Sequence, residues 1–283
     1  MEYSAFVTFH AAARKCAEAL VVHEGFDGTP FAASASLQRA FRENVRKMQG
    51  VKRITGEPYA THPTRMALTA MELLRRDETV DAERVARYCL FHDYLEEGDG
   101  ATPEGLATFR RECPDWEDET YRAGVLLTEP EIQGEPALTQ LEKVGRDLAY
   151  MAQIERIAPH SRHMVTAALL DKLDNVNDLA YITEARRGSV EARRSRLTRK
   201  LGYFAFVVAR VGACGPPVVA RLVTQSIAAA VVAHGIDPLA VARATDSLIG
   251  GLSLEREALD RAVAKQLSRF GWADSYQRAT DAL

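Results

Sequence analysis

Along nearly the whole chain apolar residues recur at the spacing of a helix face, and no segment alternates convincingly at period two. Such a chain buries its stripes by packing helix on helix, so the expected fold class is all-α. The pattern runs from Tyr3 to Val22 through Phe6, Phe9, Ala13, Ala17 and Leu20, and breaks at Gly25 and at Asp27-Gly28-Thr29-Pro30. It resumes near Ser34 and runs to Gly50, then from Pro63 to Leu74, Val80 to Tyr94, Pro103 to Arg111 and Trp116 to Leu127. Glu129 to Pro136 reads as a loop of the length that can close over a ligand. Helices are expected again over Leu138 to Ile157, Val165 to Leu179 and, after the charge run Glu191 to Lys200, into Phe204, Phe206 and Val208. That charge run reads as a solvated helix start, with phosphate binding as the lesser alternative. Beyond Gly215-Pro216-Pro217, helices to His234, from Pro238 to Gly250 and from Leu254 to Phe270 carry no convergent titratable set. Their apolar residues, Val218, Val219, Leu222, Ile227, Val231 and Val232, suit packing on the main body or on another subunit, which would make a homo-oligomer.

At 283 residues the chain can bury a full core. The net charge of −3 and a pI near 6.2 give no global basic field for nucleic acid or anionic lipid, so an anionic ligand must be met by local cations or a metal. Cys16, Cys89, Cys113 and Cys214 lack the short spacings of a zinc or redox motif and read as reduced thiols. With no apolar run of about 18 residues and no signal-like start, a soluble, cytoplasmic protein without membrane contact is expected.

The chemistry concentrates in Cys89-Leu90-Phe91-His92-Asp93-Tyr94-Leu95-Glu96-Glu97-Gly98-Asp99. On a helix turning about 100° per residue, His92 stacks with Glu96 and Asp93 with Glu97, an edge able to hold a metal and to work on its water. Alone, such a stretch is better explained by a solvated helix end. The rest of the chain supplies partners. Arg53-Ile54-Thr55-Gly56-Glu57-Pro58 must be loop and delivers His62-Pro63 at the start of a helix. Asp171 and Asn175 fall one turn apart on one face, and an aspartate closing the run Ala167-Ala168-Leu169-Leu170 needs a partner, for which a cation is a natural choice.

Arg53 through Pro63, His92-Asp93 with Glu96-Glu97, and Asp171-Lys172-Leu173 with Asn175 resemble, over about residues 35 to 205 and in the same order, the HD-domain hydrolase half of RelA/SpoT-type alarmone enzymes. Ala158-Pro159-His160-Ser161 is similar to the small stand-alone hydrolases of that family. The resemblance implies an N-terminal helical segment (1–34), an HD-type helical bundle (35–212) and a C-terminal helical extension (213–283). It further implies that His62, His92, Asp93 and Asp171 hold one Mn²⁺ per chain. Glu96 and Glu97 would orient or deprotonate the attacking water, and Arg53 and Asn175 would grip a purine nucleotide. Two imidazoles with two carboxylates suit Mn²⁺, and the ligand types also admit Fe²⁺, Co²⁺ and Zn²⁺. The reaction implied is removal of the 3′-diphosphate from ppGpp or pppGpp.

Three departures accompany the resemblance. Glu97 stands where the family has aspartate, Asp174 where it has histidine or tyrosine, and Asn177 where it has arginine. The last two are expected to make the nucleotide pocket more negative. Lys143 and Arg146 are near substitutes for the family's basic residues on the helix before the last metal aspartate, as phosphate contacts. Adenosine alarmones and the 2′-phosphate of NADPH are alternative substrates, and a catalytically weak nucleotide-binding module is the alternative of another class.

Overall fold

The computed structural model describes residues 1–23, 25–96, 100, 102–128, 142–185, 189–270 and 272. Among them the helices are α1 (Tyr3–His23), α2 (Ala35–Lys47), α3 (Thr61–Leu74), α4 (Ala82–Phe91), α5 (Pro103–Glu112) and α6 (Asp118–Leu127). They continue with α7 (Glu142–Ile157), α8 (Arg162–Ala185), α9 (Val190–Val211), α10 (Pro217–Ala233), α11 (Pro238–Leu254) and α12 (Arg256–Arg269). No strand occurs among the described residues, only an isolated antiparallel bridge between Lys52 and Pro58. The fold is all-α.

The sequence marks many of the helix starts. Ser34, Asp81, Thr102, Ser189 and Asp237 each accept a hydrogen bond from a backbone N–H of the first turn of α2, α4, α5, α9 and α11, and Pro103 and Pro238 occupy first-turn positions whose N–H would have no helical partner. At the centre α3 and α4 pack on each other with α8 against both. α1 lies along α3, and α2 and α6 flank α4. α10 covers α8, α11 packs on α9, and α12 on α7, so the C-terminal helices rest on the main body of the same chain. No helix among the described residues is long and apolar enough to cross a membrane.

One local expectation is overturned. The helix expected to carry His92 and Asp93 ends at Phe91, and His92 to Glu96 run in turns. The carbonyls that would continue it are taken by side chains. Cys89 O accepts from His92 Nδ1 at 2.7 Å, Leu90 O from Asn44 Nδ2 at 2.5 Å, and His92 O from Thr128 Oγ1 at 3.1 Å. Tyr94 N–H turns back to Phe91 O and Glu96 N–H to Asp93 O, both at 3.1 Å. With three-residue turns, Asp93 and Glu96 share a side, not the pairs one α-helical turn apart.

Candidate metal centre

The loop before α3 is held shut by its own backbone. Gly56 N–H bonds to Arg53 O at 2.8 Å, Arg53 N–H to Glu57 O at 2.9 Å, and Tyr59 N–H to Val51 O at 3.0 Å. Gly56 makes the reversal at φ +89°, a conformation that strains any residue with a Cβ. The loop thereby sets Arg53 and Tyr59 beside His62 in the first turn of α3.

Among the described residues, His62, His92 and Asp171 each bring a ligand atom to within 4.8 Å of the other two, and all three are buried. His62 Nε2 stands 3.3 Å from Asp171 Oδ1, His92 Nε2 is 3.9 Å from the same oxygen, and the two imidazole rings meet edge to face at 5.1 Å. This cluster could hold a metal ion. Asp93 stands beside it, Oδ2 lying 2.9 Å from His92 Nε2 and 3.8 Å from His62 Nε2 while accepting from Tyr59 Oη at 3.0 Å. His92 supplies the clearest test of fit. Nδ1 is bonded to the Cys89 carbonyl, while Nε2 is buried without an aligned hydrogen bond, although Asp93 Oδ2 stands 2.9 Å away. A buried nitrogen left so costs about 1–3 kcal/mol unless something such as a cation meets it.

The electrostatics agree. Burial alone would depress the His92 imidazole, but the Asp93 carboxylate, helped by Asp171, outweighs it and lifts the group to about 9. Without a cation the site therefore takes up a proton. Burial would raise Asp171, yet the Lys172 ammonium beside it and the two histidines hold it well below the carboxylate range. Lys172 is itself kept charged against burial by Asp171, and its Nζ lies 4.8 Å from the Tyr150 ring centroid and 5.3 Å from that of Tyr203. Tyr59 is pushed far up by burial and then by Asp93 and Glu96, so it stays a neutral O–H donor. The Cys89 thiol is pushed well up by burial and is neither ligand nor nucleophile.

Arg53 and Asn175 are brought to the centre and tied into it. Arg53 Nη2 donates to Asn175 Oδ1 at 3.3 Å and Asn175 Nδ2 to Asp171 Oδ1 at 2.5 Å, while Arg53 Nη1 donates to Asp178 at 2.8 Å. Two departures from the resemblance fall elsewhere than expected. Asp174 is buried behind His62 and faces Arg65 and His10, not the cleft, because those donors satisfy a carboxylate better than open solvent does inside a packed bundle. Asn177 points away, donating to Leu173 O and Ser226 Oγ.

Around the centre lies a cleft of about 320 Å³. Arg53, His62, His92, Asp93, Glu96, Asp171 and Asn175 all line it. So do residues that received no role in the sequence, Lys52, Tyr59, Tyr150, Lys172 and Tyr203, and, from the end of the charge run on α9, Arg199 and Lys200, for which phosphate binding was the lesser alternative. The charge run is thus only partly a solvated face. Arg199 and Lys200 are at positions 9 and 10 of that run, one turn ahead of Tyr203, and that basic-to-aromatic transition is the signal which could have singled them out. Glu97 and the loop 129–136 lie outside the described residues. For Lys143 and Arg146 the α7 backbone is described and the side chains are not. A mixed nitrogen and oxygen ligand set, a carboxylate at its edge and cations around it form an arrangement that can bind an anionic ester and activate water.

Compared with family models, with curated proteins and with solved structures, the chain matches none of them.

Proposed function

We propose that the chain is a metal-dependent phosphohydrolase of the HD type that removes the 3′-diphosphate from a purine alarmone such as ppGpp or pppGpp, with Mn²⁺ as its metal. One observation carries the reading. The buried cluster of His62, His92 and Asp171 opens on a cleft lined by five cationic side chains and four carboxylates, which a divalent ion would leave net positive. The resemblance to RelA/SpoT hydrolases supplies the substrate class. A bound ion would lower the pKa of a water from about 15.7 towards neutrality and polarise a phosphoryl oxygen.

The chain's own residues do the rest. Glu96, on the cleft wall within 3.4 Å of Tyr59 Oη, takes the proton of the attacking water, with Glu97 as its expected helper. The new P–O bond forms at the phosphorus carried by O3′, the P–O3′ bond breaks, and O3′ takes the proton that Glu96 received and leaves as the nucleotide hydroxyl. Lys52, Arg199 and Lys200 screen the phosphates. Tyr203 and Tyr150 offer ring faces for a base, and Arg53 with Asn175 keeps Asp171 aimed. The test is incubation with Mn²⁺ and ppGpp, ppApp or NADPH, the products resolved by anion exchange. Pyrophosphate from ppGpp supports the reading and from ppApp alone redirects it to adenosine alarmones. Orthophosphate from NADPH alone would make the protein a 2′-phosphatase, and no product from any would leave a binding module.

A further inference from the structure

Asp174 accepts four hydrogen bonds beside the centre and has so far been given no role. Its carboxylate is 3% exposed, and Oδ1 accepts from His10 Nε2 at 3.0 Å and Arg65 Nε at 2.9 Å, while Oδ2 accepts from His62 Nδ1 at 2.6 Å and Arg65 Nη2 at 2.8 Å. A carboxylate offers about four acceptor sites, and four donors meet this one. We propose that Asp174 is the positioning residue of the metal centre, fixing His62 with its proton on Nδ1 and its Nε2 lone pair towards Asp171, while Arg65 cancels the charge this requires. The inference rests on reading the cluster as a metal centre.

A neutral imidazole can carry its proton on either nitrogen and can turn about its bond to Cβ. Only the form with Nδ1–H and a bare Nε2 can bind a cation on the Asp171 side. A carboxylate 2.6 Å from Nδ1 selects that form, and would leave a buried charge uncompensated if it stood alone. Arg65 prevents this. It is fully buried, its guanidinium grips Asp174 side-on through two nitrogens, and its Nη2 and Nη1 also reach Asp178 at 2.5 Å and Glu57 at 3.4 Å. A lysine could not make that two-point grip. His10 brings α1 into the same arrangement, so the centre is aimed by side chains from three helices: α1, α3 and α8.

The experiment compares Mn²⁺ affinity, by calorimetric titration, in wild type, Asp174→Asn and Arg14→Gln, with thermal unfolding of each. Arg14 joins the same ion network through its bonds to Glu57 and Asp178, so it controls for general loosening. Asp174→Asn should lose about 10- to 100-fold in affinity, because the amide must offer N–H groups to one pair of donors and cannot hold the ring. Arg14→Gln should lower the melting temperature and leave affinity unchanged. Equal losses in both variants, or none in Asp174→Asn, overturn the inference while leaving the metal centre standing. A wild type that binds no divalent ion overturns both. Should Asp174→Asn not fold, ¹⁵N NMR of the metal-free wild type gives the answer directly: a proton on His62 Nδ1 supports the inference, and a bare Nδ1 overturns it.

Discussion

His92 and Asp93 are neighbours in the chain, and their closeness would govern how the centre takes up a cation. Because Asp93 lifts His92 to about 9, the metal-free site is protonated at neutral pH, and an incoming ion must displace that proton. Affinity should therefore rise with pH up to about 9 and flatten above it, and titrations in buffers of different ionisation enthalpy should show close to one proton released. No release would mean that His92 is neutral or is not a ligand. His62→Ala and Asp171→Ala should each empty the site by elemental analysis, since each removes one member of the cluster. Glu96→Gln should keep the metal and slow turnover by about 10²- to 10⁴-fold, the usual worth of general acid-base help; full activity would reduce Glu96 to a solvated turn residue. The members of the cluster were legible because histidine and a carboxylate in an apolar run are conspicuous as residue types. Arg65, His10 and Arg14 were not, because each sits within a helix where a lone polar residue is normally solvated. The missed signal lay on α8: Asp171, Asp174 and Asp178 are spaced three and four apart on one stripe, and three acids on a buried face require cations from elsewhere.

At the scale of elements, the helices were readable from local periodicity and caps, whereas the end of α4 was not. What stops it at Phe91 are side chains of Asn44 and Thr128, contributed from α2 and from the residue after α6. Tertiary partners of that kind leave no trace in the sequence of the helix they terminate. The same holds for α9, whose charged start read as a solvated face until its last basic residues were found against the cleft. That helix is seated by α11 at a close crossing: a Cβ on Gly202 would come within 2.6 Å of Ala244 Cβ and 3.3 Å of the backbone behind it. Gly202→Ala must push the two helices apart and should cost about 1–3 kcal/mol, read as a lower melting temperature. Since Arg199, Lys200 and Tyr203 ride on α9, substrate KM should rise in the same variant while metal affinity holds; an unchanged KM would show that α9 does not touch substrate.

For the whole molecule, titrations of opposite sign set where the metal-free protein is most stable. Against the desolvation that would raise it, Asp174 is held well below the carboxylate range by Arg65, with His10 and His62 assisting. A depressed folded-state pKa gives stability that is complete above the unfolded value of about 3.9 and is lost as pH falls through the folded one. Asp171 and Asp93 are shifted in the same direction. His92, raised to about 9, contributes in reverse, fully below about 6.5 and not at all once pH has risen past the folded value. The metal-free melting temperature should peak between about pH 4 and 6.5 and fall on both sides, and saturating Mn²⁺ should abolish the alkaline fall; a metal-free profile still rising at pH 9 would contradict the assignment. The buried ion network has one more consequence, for the order in which the protein comes into being. His10 and Arg14 meet their carboxylates 164 residues later in the chain, and His62 meets Asp174 after 112. During synthesis, all the imidazoles of the cluster leave the ribosome well before any of the aspartates of α8 that aim or complete them, so a nascent chain has no centre to load, and a metal could be captured only after α8 has been made and docked.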